Sequence, residues 1–162
     1  MKRSYYLFIL AVLTTFSSCK KDGFGPLTDS VAPIPVTITN AMPSRLEPTI
    51  SVSRATGIIS IKLAIPSTSG RTIKEITRVS ATTTPTAVQG TVGLYNTAPI
   101  AATGTTVEFT SILSEYITKG RPVIVALPIA NNVELANRFY FLITLDNSQT
   151  IVTRPIRLFL VE

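Results

Sequence analysis

The feature that most constrains this sequence is a repeated alternation of apolar and other residues with a period of two. Over residues 59–65 every odd position carries Ile or Leu, and the positions between them carry Ser, Lys and Ala. Residues 138–145 repeat the pattern, with Phe, Ile and Leu at the odd positions. Because successive side chains of a β-strand point to opposite faces, both segments are predicted to be strands with one buried face.

Shorter segments of the same kind run through most of the chain after residue 35. Gly57 is predicted to take a positive φ in a three-residue hairpin loop. No long amphipathic helix is present, and a parallel sheet needs crossover helices, so we expect an all-β fold, an antiparallel β-sandwich forming one domain over residues 36–162. The other predicted segments are strands at 36–39, 49–53, 73–81, 91–95, 105–112, 122–127 and 150–161, a helical turn at 114–117, and a loop or short helical turn at 131–137.

The last two strands are predicted to form a hairpin with a two-residue turn at its tip. In that register Ile143 faces Val152 and Phe139 faces Ile156, which places apolar side chains of both strands on one face. Pro155 has no N–H to donate, so its strand is predicted to be an edge strand or to carry a bulge. A bulge would move the apolar side chains that follow it to the other face.

The N-terminus has the three parts of a secretory signal. Lys2 and Arg3 form a positive segment, residues 5–13 are apolar, and two serines precede Cys19, the one cysteine of the chain. The apolar run is shorter than the roughly 20 residues that a membrane-spanning helix needs. Residues 1–18 are therefore predicted to be a signal peptide, and the chain is predicted to be exported.

The segment Phe16-Ser17-Ser18-Cys19 resembles the lipobox of bacterial lipoproteins, and the Lys-Lys-Asp that follows resembles Bacteroidota lipoproteins. Phe16 and Ser18 depart from the commonest residues there, which are Leu and Gly or Ala. The resemblance implies cleavage before Cys19 and attachment of fatty chains such as palmitate, whose buried CH₂ groups contribute about 0.8 kcal/mol each. We expect an outer-membrane lipoprotein of the cell envelope; a periplasmic and a surface-facing orientation both remain open.

Residues 19–35 are rich in Gly, Pro and polar residues and are predicted to be a flexible tether between lipid and domain. Within the tether, Asp29-Ser30-Val31 resembles the O-glycosylation site of exported Bacteroidota proteins. The resemblance implies glycosylation of Ser30, and an unmodified linker is the alternative.

The domain after the tether resembles the immunoglobulin-like and fibronectin-type-III-like domains of Bacteroidota lipoproteins. The resemblance lies in the succession of short strands between turns, and the chain has no Trp and no second Cys to form the core disulfide of antibody domains. It implies a recognition module rather than an enzyme.

The composition excludes several kinds of chemistry. The absence of His removes Ser-His-Asp and Cys-His sites and His-ligated zinc, and no phosphate-binding loop occurs, so no cofactor and no metal are predicted. The net charge of the full chain is +6. Removal of residues 1–18 leaves 13 basic and nine acidic residues, scattered along the chain, so no nucleic-acid partner is expected.

The few carboxylates offer little for hydrolysis. Glu108 and Glu115 are the nearest pair on segments predicted to be ordered, and a glycosidase needs two carboxylates across its substrate. Glu108 alternates with Phe109 and is predicted to lie on a solvent face. Residues 146–148 offer too few oxygen ligands for calcium and instead favour a turn. A hydrolase is therefore the third and least favoured function.

Three tyrosines are candidate ligand contacts. Tyr95, Tyr116 and Tyr140 are possible stacking platforms for sugar rings, and Tyr140 is predicted to point outward because it alternates with phenylalanines. Ordinary half-buried tyrosines, with their hydroxyls at water, are the favoured interpretation.

Arginines meet in the predicted hairpin, where Arg138 stands opposite Arg157. Because like charges directly opposite are unfavourable, we expect a register shift near Pro155, an acid such as Glu134 or Glu162 beside them, or a bound anion.

These observations favour a non-enzymatic envelope lipoprotein that contacts another envelope protein. A glycan-binding accessory lipoprotein of a polysaccharide uptake system is the alternative. In both cases the lipid anchor is the contact with the membrane.

Overall fold

The computed structural model of the protein describes residues 34–43, 45–123 and 132–162. Ten strands lie in these residues: β1 (Thr37–Ile38), β2 (Thr49–Ser53), β3 (Ile58–Ala64), β4 (Ile73–Thr82), β5 (Ile100–Ala101), β6 (Thr106–Ile112), β7 (Val133–Glu134), β8 (Arg138–Leu145), β9 (Thr150–Val152) and β10 (Arg157–Val161). One helix, α1 (Leu113–Lys119), follows β6, and two 3-10 turns span Ser67–Ser69 and Pro85–Gln89. Within this part of the chain no helix is long and apolar enough to cross a membrane.

The strands form sheets that are antiparallel with one exception. One sheet has the order β1-β3-β6, and another has the order β5-β4-β8-β9. In a third, β10 lies between β2 and β7, and β2 pairs with β10 in parallel. The purely antiparallel prediction is therefore wrong for this pair. No crossover helix is needed, because nearly the whole domain separates the two strands along the chain.

The inner faces of the sheets contribute to one hydrophobic core. The ring of Phe109 in β6 lies 5.4 Å from that of Phe139 and 5.3 Å from that of Phe141, both in β8. The odd-numbered apolar residues of β3 and β8 are all buried, as their alternation predicts. The fold is all-β and sandwich-like.

The hairpin of β8 and β9 differs from its predicted register by one residue. Its loop has three residues, because the Leu145 amide donates to the Gln149 carbonyl oxygen at 2.9 Å and Ser148 takes a φ of 67°. Ile143 therefore pairs with Ile151 and not with Val152.

A bulge restores the predicted register further along the same hairpin. Phe139 bridges Ile156, as expected, and the extra residue is accommodated between β9 and β10, where Pro155 lies. The bulge confirms the prediction from Pro155, and Ile156, Leu158 and Leu160 all lie in the core.

Two other segments depart from prediction, and a third cannot be compared with it. Residues 91–95 form no strand, because Gly93 takes a φ of 72° and interrupts the extended backbone. The predicted strand at 122–127 lies mostly outside the described residues. The segment 131–137, predicted to be a loop or helical turn, contributes the short strand β7.

Candidate functional site

Arg157 in β10 lies at the centre of a cluster of charges, which we call the Arg157 cluster. Its Nε donates to the carboxylate of Glu47, and its Nη1 donates to that of Glu134 in β7. Arg157 therefore has acids beside it, and Glu134 is one of the two acids predicted for this role. Glu47 was missed, since it lies 110 residues away in the loop before β2 and no local pattern connects them.

The electrostatics of the Arg157 cluster keep Arg157 and Glu47 charged. The hydrogen bond from Arg157 holds the pKa of Glu47 below its ordinary value, and the same bond raises the pKa of Arg157. A carboxylate that remains ionised in this way is suited to binding a cation, not to donating a proton.

A cavity of about 440 Å³ opens beside this cluster. The guanidinium of Arg45 lies 5.0 Å from the centre of the Phe159 ring at the same end of the sheet. The positive and negative side chains that line the cavity are equal in number, so the cavity favours no strongly charged ligand. Its lining residues are Arg45, Leu46, Glu47, Thr49, Glu134 and Arg157.

A second polar group, the Tyr95 network, connects the core to α1. The hydroxyls of Tyr95 and Ser111 lie 2.5 Å apart, and Ser111 donates to Glu115 at 2.8 Å. Since Ser111 has one proton to give, the Tyr95 hydroxyl is the donor to Ser111. Lys119 lies 3.5 Å from Glu115 and also lies over the Tyr95 ring, 5.3 Å from its centre.

Burial and hydrogen bonding shift the pKa values of this network in opposite directions. Burial raises the pKa of Tyr95 to about 12, and the hydrogen bond from Ser111 lowers the pKa of Glu115. Tyr95 therefore remains protonated and Glu115 ionised at neutral pH. Sequence reasoning did not identify Ser111, which lies on the inward face of β6.

The three candidate tyrosines do not form an exposed surface. Tyr95, Tyr116 and Tyr140 are 4%, 0% and 3% exposed. Tyr140 lies on the predicted outward face of β8, but the 3-10 turn Pro85–Gln89 packs over that face and buries its own Val88 there. Tyr140 therefore lies on the outward face of β8, as predicted, but its ring is buried there because the loop between β4 and β5 covers the sheet. None of the three rings presents an exposed face for a sugar.

The two candidate carboxylates of a hydrolase lie in different surroundings. Glu108 is exposed on β6, as predicted, and accepts a hydrogen bond of 2.7 Å from Ser60. Glu115 belongs to the Tyr95 network, and the cavities that the two residues line have no member in common. Among the described residues no three His, Cys, Asp or Glu side chains are grouped so as to hold a metal ion.

The turn at residues 146–148 shows the chemistry expected of it. The side-chain oxygen of Asn147 accepts a hydrogen bond of 3.1 Å from the amide of Gln149, two residues along the chain. The predicted signal peptide, the predicted lipidation site Cys19 and the predicted glycosylation site Ser30 lie outside the described residues.

No protein-family model, no curated protein and no solved structure matches this chain.

Proposed function

We propose that the protein is an envelope lipoprotein anchored at Cys19, whose β domain is a binding module that contacts another envelope protein. The anchor rests on the signal-like N-terminus and the lipobox resemblance. The binding role rests on exposed apolar side chains of the β domain and on carboxylates that remain ionised.

We further propose that the domain is immunoglobulin-like. In such domains strands A, B and E share one sheet, and strands C, F and G, with C′ in the variable type, share the other. The order β1-β3-β6 corresponds to A, B and E. The order β5-β4-β8-β9 corresponds to C′, C, F and the first part of G, with β10 as the rest of G. This correspondence supports the proposal.

The observation that carries a contact function is an exposed apolar pair on the sheet β1-β3-β6. Ile58 and Ile112 are partners in the β3–β6 register and are 56% and 48% exposed. Adjacent exposed apolar side chains favour burial against a partner protein. The lowered pKa values of Glu47 and Glu115 argue against either residue acting as a general acid, which needs a raised pKa.

The contact is tested by crosslinking on intact cells, followed by identification of proteins joined to the full-length chain. We expect a reproducible partner that is lost when Ile58→Ser and Ile112→Ser are combined. Val92→Ser is the matched control, since Val92 is 88% exposed but lies elsewhere on the chain. A chain that remains uncrosslinked, or a partner retained by the double variant, contradicts the proposal.

The anchor has a separate test, metabolic labelling with a fatty acid. Wild-type chain is expected to incorporate the label, and Cys19→Ala is expected to lose it. Equal labelling of the variant would overturn the assignment of Cys19.

A further inference from the structure

The loop before β2 has an unusually open backbone around one arginine. Arg45 is exposed and Leu46 is 104% exposed, as much as in an isolated extended peptide. Within the described residues, the amides of Arg45, Leu46 and Glu47 donate no hydrogen bond. The Glu47 carbonyl oxygen accepts a hydrogen bond of 3.0 Å from the Thr49 hydroxyl, so the open part of the loop is the Arg45–Leu46 bond itself. Exposed backbone whose amides form no hydrogen bond is the usual site of proteolytic cleavage, because a protease must extend the chain through its active site.

Other exposed basic residues of the described chain are less suitable. Arg121 and Arg154 each precede proline, which proteases of trypsin-like specificity do not accept after the cleaved bond. The amide of Arg54, which follows β2, donates to the Val161 carbonyl oxygen of β10 at 2.8 Å. The amide of Arg71 donates to the Ser69 hydroxyl at 3.3 Å.

We propose that the Arg45–Leu46 peptide bond is a processing site for a protease of trypsin-like specificity. Hydrolysis consumes one water molecule, breaks the C–N bond, and leaves a carboxylate on Arg45 and an amine on Leu46. The new N-terminus then begins Leu46-Glu47-Pro48.

The cleaved domain remains assembled at first, because β1 is held to β3 by contacts that do not depend on the cleaved bond. The Thr39 amide donates to the Lys62 carbonyl oxygen at 2.9 Å. The Asn40 side chain donates to the Ser60 carbonyl oxygen and accepts from the Lys62 amide, at 2.9 and 3.0 Å. Ile34 and other partly buried residues before the site pack on the core.

Release of the domain therefore has two steps, cleavage followed by departure of β1 from β3. The second step separates the domain from residues 1–45. Release of the domain from the membrane rests on the proposed function, which places the lipid anchor at Cys19.

The decisive experiment determines the N-termini of this protein in its native cells by mass spectrometry. We expect a fraction of chains to begin at Leu46, and we expect an inhibitor of trypsin-like proteases to reduce that fraction at least several-fold. Arg45→Gln should abolish it, Arg45→Lys should retain it, and the matched control Arg71→Gln should leave it unchanged. Absence of chains beginning at Leu46, or their persistence in Arg45→Gln, would overturn the proposal.

Limited trypsin digestion of the full-length chain tests accessibility independently of the cell. The first cut within residues 34–162 should fall after Arg45, and a first cut after Arg54, Arg71 or Lys119 counts against the site. Both experiments are independent of lipidation. Chains that begin at Leu46 without fatty-acid labelling of the precursor would retain the processing site and refute the anchor.

Discussion

The hydroxyl of Tyr116 bonds both backbone groups of Asn137, donating to the carbonyl oxygen at 2.8 Å and accepting from the amide at 2.9 Å. Tyr116 lies in α1 and is fully buried, and Asn137 immediately precedes β8. Burial raises the pKa of Tyr116, so the phenol keeps its proton. The side chain of Tyr116 thus joins α1, the helix that follows β6, to the residue that precedes β8.

Tyr116→Phe should destabilise the domain strongly for so small a change. The substitution removes one oxygen and leaves a buried amide and a buried carbonyl without a partner, which costs about 1–3 kcal/mol. Urea unfolding of the variant measures the loss. Tyr140→Phe is the matched control, because no hydrogen bond of its hydroxyl is found in the described residues, and its effect should stay within about 0.5 kcal/mol. Equal losses in the two variants would contradict this account.

Gly57→Ala should destabilise the turn between β2 and β3, two strands that do not form the predicted hairpin because they lie in different sheets. Gly57 has a φ of 64°, and its amide donates to the Ser53 carbonyl oxygen at 2.8 Å. The cost is conformational, about 1–2 kcal/mol, since an added Cβ meets Leu113 at an ordinary 3.5 Å. Gly90→Ala is the control: Gly90 has a φ of −83° and room for a Cβ, so its thermal midpoint should change little or rise.

The sequence predicts those strands and irregularities that depend on local periodicity or on the backbone chemistry of a single residue. Alternation over 59–65 and 138–145 identifies β3 and β8, and the missing N–H of Pro155 identifies the bulge. Pairing across the chain is not local. The parallel contact of β2 with β10 and the bond from Arg157 to Glu47 depend on how the whole domain closes, so no sequence window contains them.

Burial is predicted correctly only where one sheet face meets the core. Tyr140 alternates with buried phenylalanines and should be exposed by that rule. It is buried because the 3-10 turn Pro85–Gln89 covers the second face of the sheet. The Thr- and Pro-rich segment that contains this turn has no periodicity from which its packing could be predicted. The sequence therefore could not show that Tyr140, a candidate contact for a sugar ring, would be covered.

Phe139→Ala should be among the most damaging single substitutions. Phe139 is fully buried, and its ring lies 5.2 Å from Tyr95, 5.4 Å from Phe109 and 5.9 Å from Tyr116. Truncation leaves a cavity among these rings and should cost about 3–5 kcal/mol, measured by urea unfolding. Phe159→Ala is the comparison, since Phe159 is only half-buried. A loss there as large as that at Phe139 would show that the core is centred elsewhere.

The pair of Glu47 and Arg157 should make stability depend on pH in acid. The pKa of Glu47 is lowered in the folded protein from the ordinary value of 4.5, chiefly by its hydrogen bond with Arg157. A carboxyl whose folded pKa is depressed stabilises the fold above its ordinary pKa, and this contribution is lost as pH falls through the folded value. The thermal midpoint of wild type should therefore exceed that of Glu47→Gln at neutral pH, and the difference should shrink below pH 4.5.

Arg157 itself supplies the control for that pH dependence. In an Arg157→Gln background the carboxyl of Glu47 loses the hydrogen bond that lowers its pKa. The further change Glu47→Gln should then produce a smaller difference in thermal midpoint that varies less between pH 3 and pH 7, about the range over which a carboxyl titrates. An unchanged pH dependence in this background would show that another carboxyl, not Glu47, produces the acid sensitivity.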